Sequence, residues 1–130
     1  MPIEIERKFL VVNSNWKKNI NTATLIKQGY LNSTPERTVR VRIKGEKGFL
    51  TIKGKTVNTT RAEYEYEIPF SDALEMMDLC EKPLIEKTRY EVIVNGNLWE
   101  IDVFDGDNKG LTVAEIELES ENQEFILPSW

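Results

Sequence analysis

Between Arg37 and Lys44 the chain alternates without a break, with Val39, Val41 and Ile43 at odd positions and Thr38, Arg40, Arg42 and Lys44 at even ones. A period of two puts successive side chains on opposite faces, so this segment reads as a strand with one apolar and one cationic face. The same alternation recurs along the chain and narrows the available folds more than any other feature. It predicts strands at 3–12, 22–32, 37–44, 49–55, 61–69, 84–94, 97–104 and 111–119, with 57–60 as a loop. The turn at 45–48 and the Asn95-Gly96 pair, a strong two-residue hairpin signal, join neighbouring strands. Two segments leave the pattern. Residues 13–21 could form a turn or two of helix capped by Ser14. Residues 71–80 predict a helix opened by Ser71 or Asp72 with Glu75 in a capping box and stopped near Pro83, with Leu74, Met77 and Leu79 as its core-facing stripe.

Eight strands with mostly short connections suggest an antiparallel sheet closed into a barrel, giving an α+β, mainly β, single domain over residues 1–130 with one or two flanking helices. Patterning alone leaves the sense of the barrel open. If the charged faces are solvated, the apolar faces fill an ordinary interior. If they turn inward, the lumen collects Lys8, Arg40, Arg42, Lys44, Lys53, Lys55, Lys87 and Arg89 with many carboxylates, and the outer apolar faces need cover.

The charges are segregated by strand. Cations dominate 37–55, whereas Glu63, Glu65 and Glu67 form one carboxylate row and Glu115, Glu117 and Glu119 another. Carboxylates two apart on a strand lie about 7 Å from each other and repel by roughly 2 kcal/mol at an effective dielectric near 20. A divalent cation removes that penalty, and a row of Arg and Lys beside a metal is suited to a chain of phosphates. The chain has no histidine and one cysteine, Cys80, which excludes imidazole bases, histidine-based zinc sites and an internal disulfide framework. Any metal should therefore be hard and oxygen-bound, Mg²⁺ or Mn²⁺. A net charge of −5 and a pI near 4.9 argue against nucleic-acid binding. No apolar run approaches membrane-spanning length and no signal-like segment opens the chain, so a cytoplasmic location without membrane association is expected.

The segment Glu4-Ile-Glu-Arg-Lys8 resembles the Glu-x-Glu-x-Lys signature of the CYTH family, the triphosphate tunnel metalloenzymes. The likeness continues through Gln28-Gly-Tyr-Leu31, Arg40-Val-Arg42, Thr51-Ile-Lys53, Glu63-Tyr-Glu65, Glu86-Lys-Thr-Arg89, Trp99-Glu-Ile-Asp102 and Ala114-Glu-Ile-Glu117, in order over nearly the whole chain. This resemblance implies an eight-stranded tunnel with its charged faces inside. It also implies substrate-binding roles for Lys8, Arg40, Arg42, Lys53, Lys87 and Arg89. Glu4, Glu6, Glu115 and Glu117 correspond to ligands of a bridging metal, and Glu63, Glu65 and Asp102 to a second metal or the attacking water. Glu100 is a further, less defined member of that group. Lys8, Tyr30, Glu63 and Glu65 take the catalytic positions.

The implied activity is hydrolysis of a small triphosphate, inorganic tripolyphosphate first, with ATP and thiamine triphosphate as other substrates. A class IV adenylate cyclase is the competing reading, and a non-catalytic polyphosphate or nucleotide-binding module is a third. The oligomeric state stays open, a homodimer included. Members of the resembled family usually continue into a further helical segment beyond the position of Phe125 to Trp130, so one such segment is expected to be missing here.

Overall fold

The computed structural model describes residues 3–130, which form eight strands: β1 (Ile3–Leu10), β2 (Ile20–Asn32), β3 (Arg37–Lys44), β4 (Lys47–Gly54), β5 (Thr60–Ile68), β6 (Ile85–Val94), β7 (Asn97–Asp105) and β8 (Thr112–Glu117). All pairings are antiparallel, and the sheet closes in the order β1-β5-β4-β3-β2-β6-β7-β8. Two meanders, β2 to β5 and β6 to β8, meet along β2 and β6. The first strand closes the ring by forking: Ile3, Glu4 and Ile5 pair with β5, whereas Glu6 to Leu10 pair with β8. Glu6 N–H donates to the Thr59 carbonyl at 3.2 Å, and Leu118 N–H to the Ile5 carbonyl at 2.7 Å. The first two glutamates therefore stand where β1 changes partner.

The charged faces point inward and the core lies outside the barrel wall. Arg40, Arg42, Lys53, Lys87, Arg89 and Asp102 are all buried. One apolar layer joins Val92, Trp99, Ile101, Ala114 and Ile116 on the outer face of β6 to β8 with Trp16, Phe125 and Trp130. Trp99, 1% exposed, lies 5.8 Å from Phe9, 5.9 Å from Phe125 and 5.7 Å from Trp130 between ring centroids. The segment ending at Trp130 thus clads this side, and the Trp130 carbonyl accepts a bond from Val12 N–H at 2.7 Å. The second layer sets Val41 and Ile43 of β3 beneath Ala73, Met77 and Cys80.

That second cover is the helix α1 (Phe70–Met76), extended by a 3-10 turn over Met77–Leu79. It approaches closely because Gly48 has no side chain: a Cβ there would lie 2.7 Å from the Ala73 Cβ. The expected capping box does not form. Pro69 occupies the N-cap position and its carbonyl accepts from Ala73 N–H at 3.1 Å, so the helix starts one residue earlier and Glu75 falls out of register with the cap. The apolar stripe is also corrected: Ala73, Met77 and Cys80 are buried, whereas Leu74 and Leu79 are 49% and 75% exposed. The segment at 13–21 contains a short 3-10 turn, Asn15–Asn19, without a side-chain cap from Ser14. At the β6–β7 turn, Asn95 (φ 53°) and Gly96 (φ 78°) adopt the left-handed backbone that a two-residue hairpin needs. Among the described residues, no helix is long and apolar enough to cross a membrane.

Candidate active site inside the barrel

Inward alternation on eight strands produces a cavity of about 330 Å³ whose lining is almost wholly charged. Its cations come from five strands: Lys8 on β1, Arg40, Arg42 and Lys44 on β3, Lys53 on β4, Arg61 on β5, and Lys87 and Arg89 on β6. Lys55, expected in the lumen, follows the end of β4 at Gly54 and is exposed. The strand stops before its alternation can carry that ammonium inward.

On one wall the charges are paired at short range. Arg89 grips Asp102 with two bonds, Nε to Oδ1 at 2.8 Å and Nη2 to Oδ2 at 2.9 Å, and Lys87 Nζ donates to the same Oδ2 at 2.6 Å. Burial alone would raise the Asp102 carboxyl, but Arg89 and Lys87 outweigh it and hold the pKa below the usual range. For Lys87 burial wins, pulling the ammonium down to about 8 despite Asp102. Asp102 therefore lies within a cation cluster, whereas the sequence placed it among the metal carboxylates. Arg89 also donates to Glu100 at 3.4 Å.

Two further carboxylate groups, Glu4 with Glu63 and Glu6 with Glu115, line the cavity on β1, β5 and β8. Glu4 accepts from Lys53 and Arg61, both at 3.3 Å, and Lys53 lies equally close to Glu63. Glu4 and Glu63 share the Lys53 ammonium; burial raises Glu63, whereas Lys53 leads the groups that lower Glu4 against the effect of burial. Glu6 and Glu115 share Lys8, whose Nζ sits 3.5 Å from Glu6 and 3.8 Å from Glu115. Burial, then the charges of Glu115 and Glu4, push Glu6 up to about 7. Glu117 lies opposite Glu6 in the β1–β8 register and also lines the cavity.

On β3, Arg40 and Arg42 are compensated less than Arg89 and Lys87. Arg42 Nε donates to the neutral amide of Gln28 at 2.8 Å, and burial followed by repulsion from Arg40 and Arg89 lowers its pKa to about 10. Arg40 donates to Thr51 Oγ1 at 3.3 Å and lies 3.7 Å from Glu65, but its buried Nε has no partner. Thr51 in turn donates to Glu65 at 3.1 Å. Tyr30 lines the cavity opposite Arg40 in register, and Phe49 does so opposite Arg42.

Among the described residues no three carboxylates form a ready-made metal cage. The donor set nevertheless fits a hard divalent ion. Mg²⁺ is commonly held by one or two carboxylates completed by phosphate oxygens and water, and two half-buried glutamates, one of them raised to about 7 by burial and then by the charges of Glu115 and Glu4, suit that arrangement. Gln28, Thr51 and Arg61 join the site without an individual role legible in the sequence, although Arg61 shares the phase of Glu63 and Glu65.

A sequence model of the CYTH domain matches residues 2–130. The chain is 47% identical over 128 residues to an inorganic triphosphatase of Acetivibrio thermocellus, covering 98% of this chain and 81% of that protein. It is 36% identical over 132 residues to an inorganic triphosphatase of Nitrosomonas europaea, covering 98% and 85%. The solved structure of the inorganic triphosphatase NE1496 superposes with a TM-score of 0.68 at 36% identity, covering 98% of this chain and 82% of that one.

Proposed function

The chain belongs to the CYTH domain family, and on that premise we propose that it is a metal-dependent triphosphatase whose substrate is inorganic tripolyphosphate. The observation that carries this reading is the Nε of Arg40, a buried donor with no acceptor in a cavity whose other cations are largely paired. A buried unmet donor is costly, and a phosphoryl oxygen is the acceptor that a guanidinium fits best. Among the described residues Phe49 is the only wholly apolar side chain on the lining, too little to enclose a nucleobase, and Tyr66 lies outside the barrel, 58% exposed. Both facts favour an inorganic chain over ATP.

Arg40 and Arg42 would hold the phosphate oxygens, with Lys53, Lys87 and Arg89 adding field from the walls. Glu6 and Glu115, with Glu117 beside them, would hold Mg²⁺ or Mn²⁺, which when bound neutralises phosphate charge and polarises the phosphoryl group. Lys8, poised between Glu6 and Glu115, orients the end of the chain at those carboxylates. Glu63 and Glu65 are placed to accept a proton from water as its oxygen bonds to phosphorus and the anhydride bridge breaks, giving orthophosphate and pyrophosphate. Tyr30 braces the substrate beside Arg40. Catalysis on this reading is positioning plus electrostatic stabilisation rather than covalent chemistry.

The test is one panel of tripolyphosphate, ATP, GTP and thiamine triphosphate with Mg²⁺ or Mn²⁺, following phosphate, pyrophosphate and cyclic nucleotide. Phosphate release fastest from tripolyphosphate is expected. Cyclic AMP with pyrophosphate from ATP would replace this reading with a cyclase, and binding without turnover would replace it with a sensor.

A further inference from the structure

The cavity's cations have two kinds of partner, and the difference follows the strand register. Arg89 faces Asp102 and Lys53 faces Glu63, so those charges meet carboxylates. Arg42 instead faces Gln28 across β2 and β3. Gln28 is 4% exposed, and its Oε1 accepts from Arg42 Nε at 2.8 Å. A carboxylate would fit the same space, since Glu and Gln have the same shape, and would relieve the repulsion among Arg40, Arg42 and Arg89. The position carries an amide. An amide fixes the guanidinium through Nε, leaves its terminal nitrogens for another acceptor and does not cancel its charge.

We infer that Gln28 is a positioning residue whose neutrality is its function: it aims Arg42 at the substrate's phosphoryl oxygens while leaving that arginine's charge uncompensated until a polyanion enters. The inference deepens the triphosphatase reading and rests on it for the identity of the polyanion. It implies a trade-off, in which the residue that would best stabilise the empty protein would weaken substrate binding.

The experiment compares wild type, Gln28→Glu and Gln28→Met, each also combined with Arg42→Ala, by melting temperature without ligand and by KM and kcat for tripolyphosphate with Mg²⁺. Gln28→Glu should melt higher than wild type yet raise KM by about tenfold or more, the range of a charge-assisted hydrogen bond, with a smaller change in kcat. Gln28→Met keeps the volume and loses the acceptor, so it should melt lower and raise KM only a few-fold. In the Arg42→Ala background the Gln28→Met effect should vanish and the Gln28→Glu effect should shrink to the direct repulsion between the new carboxylate and the polyanion, because residues acting through one partner are not additive. A Gln28→Glu protein that melts no higher than wild type, keeps its KM, or shows the same KM effect without Arg42 overturns the inference. A wild type inert toward tripolyphosphate would refute the triphosphatase reading instead. The order of melting temperatures would then decide the inference about charge: Gln28→Glu above wild type above Gln28→Met supports it, and any other order overturns it.

Discussion

Replacing Asp102 by Asn probes the tunnel wall at its most densely charged point. The substitution keeps the shape and removes the charge that Arg89 and Lys87 share through bonds of 2.8, 2.9 and 2.6 Å. Solvent cannot take over, because the side chains of Asp102, Lys87 and Arg89 are 1%, 6% and 9% exposed. Removing one partner of such a buried pair costs about 3–5 kcal/mol. For a domain of 130 residues that loss corresponds to a melting temperature lower by roughly 10–20 °C, read by circular dichroism in chelator. The two uncovered cations should then respond more strongly to an added polyanion, so tripolyphosphate should raise the melting temperature of Asp102→Asn more than that of wild type. Mn²⁺ affinity should be unchanged, because the Asp102 oxygens face cations. A variant melting within about 2 °C of wild type would refute the reasoning. Loss of Mn²⁺ binding would return Asp102 to the metal-ligand role that the sequence suggested.

Three further outcomes follow. Glu6 is raised to about 7 from an ordinary 4.5, so the folded state binds a proton more tightly than the unfolded chain between those values; its contribution to stability is full below 4.5 and is lost as the pH rises through 7. In chelator, Glu6→Gln should therefore gain on wild type in melting temperature from pH 5 to pH 8, and a constant difference would show that burial and the charges of Glu115 and Glu4 do not raise Glu6. Gly48→Ala should destabilise the fold by about 1–3 kcal/mol through the clash with Ala73, and an unchanged urea midpoint would mean that α1 shifts freely. Glu115→Gln with Glu117→Gln should abolish metal-dependent turnover without lowering apo stability; retained turnover with Mg²⁺ would remove both carboxylates from the metal site.

Strand positions were legible because a period of two survives any packing environment, and β3 matches its expected bounds at both ends. The sense of the barrel was not legible from alternation, which shows that two faces differ without showing which one is covered. The cover comes from α1 and from the segment around Phe125 and Trp130, and their docking depends on close approaches such as that at Gly48. The Arg89–Asp102 pair could have been found: counting outward from the Asn95-Gly96 turn sets these residues directly opposite each other. The Arg42–Gln28 pair could not be counted in the same way, because an irregularity between Tyr30 and Asn32 shifts the β2–β3 register. The partition of the glutamates into a Glu4–Glu63 couple and a Glu6–Glu115 couple depends on the fork of β1, which leaves no trace in the alternation.

The central claim is that the barrel's interior binds a polyanion through guanidinium groups left uncompensated by the fold. Its most direct test is calorimetric titration of a non-hydrolysable triphosphate with Mg²⁺ into wild type and Arg40→Ala. One site per chain is expected in the wild type, with affinity at least about tenfold weaker in the variant, since a buried charge-assisted bond is lost. Equal affinities in the two proteins, or several weak sites per chain, would place the polyanion on the outer surface and contradict the account.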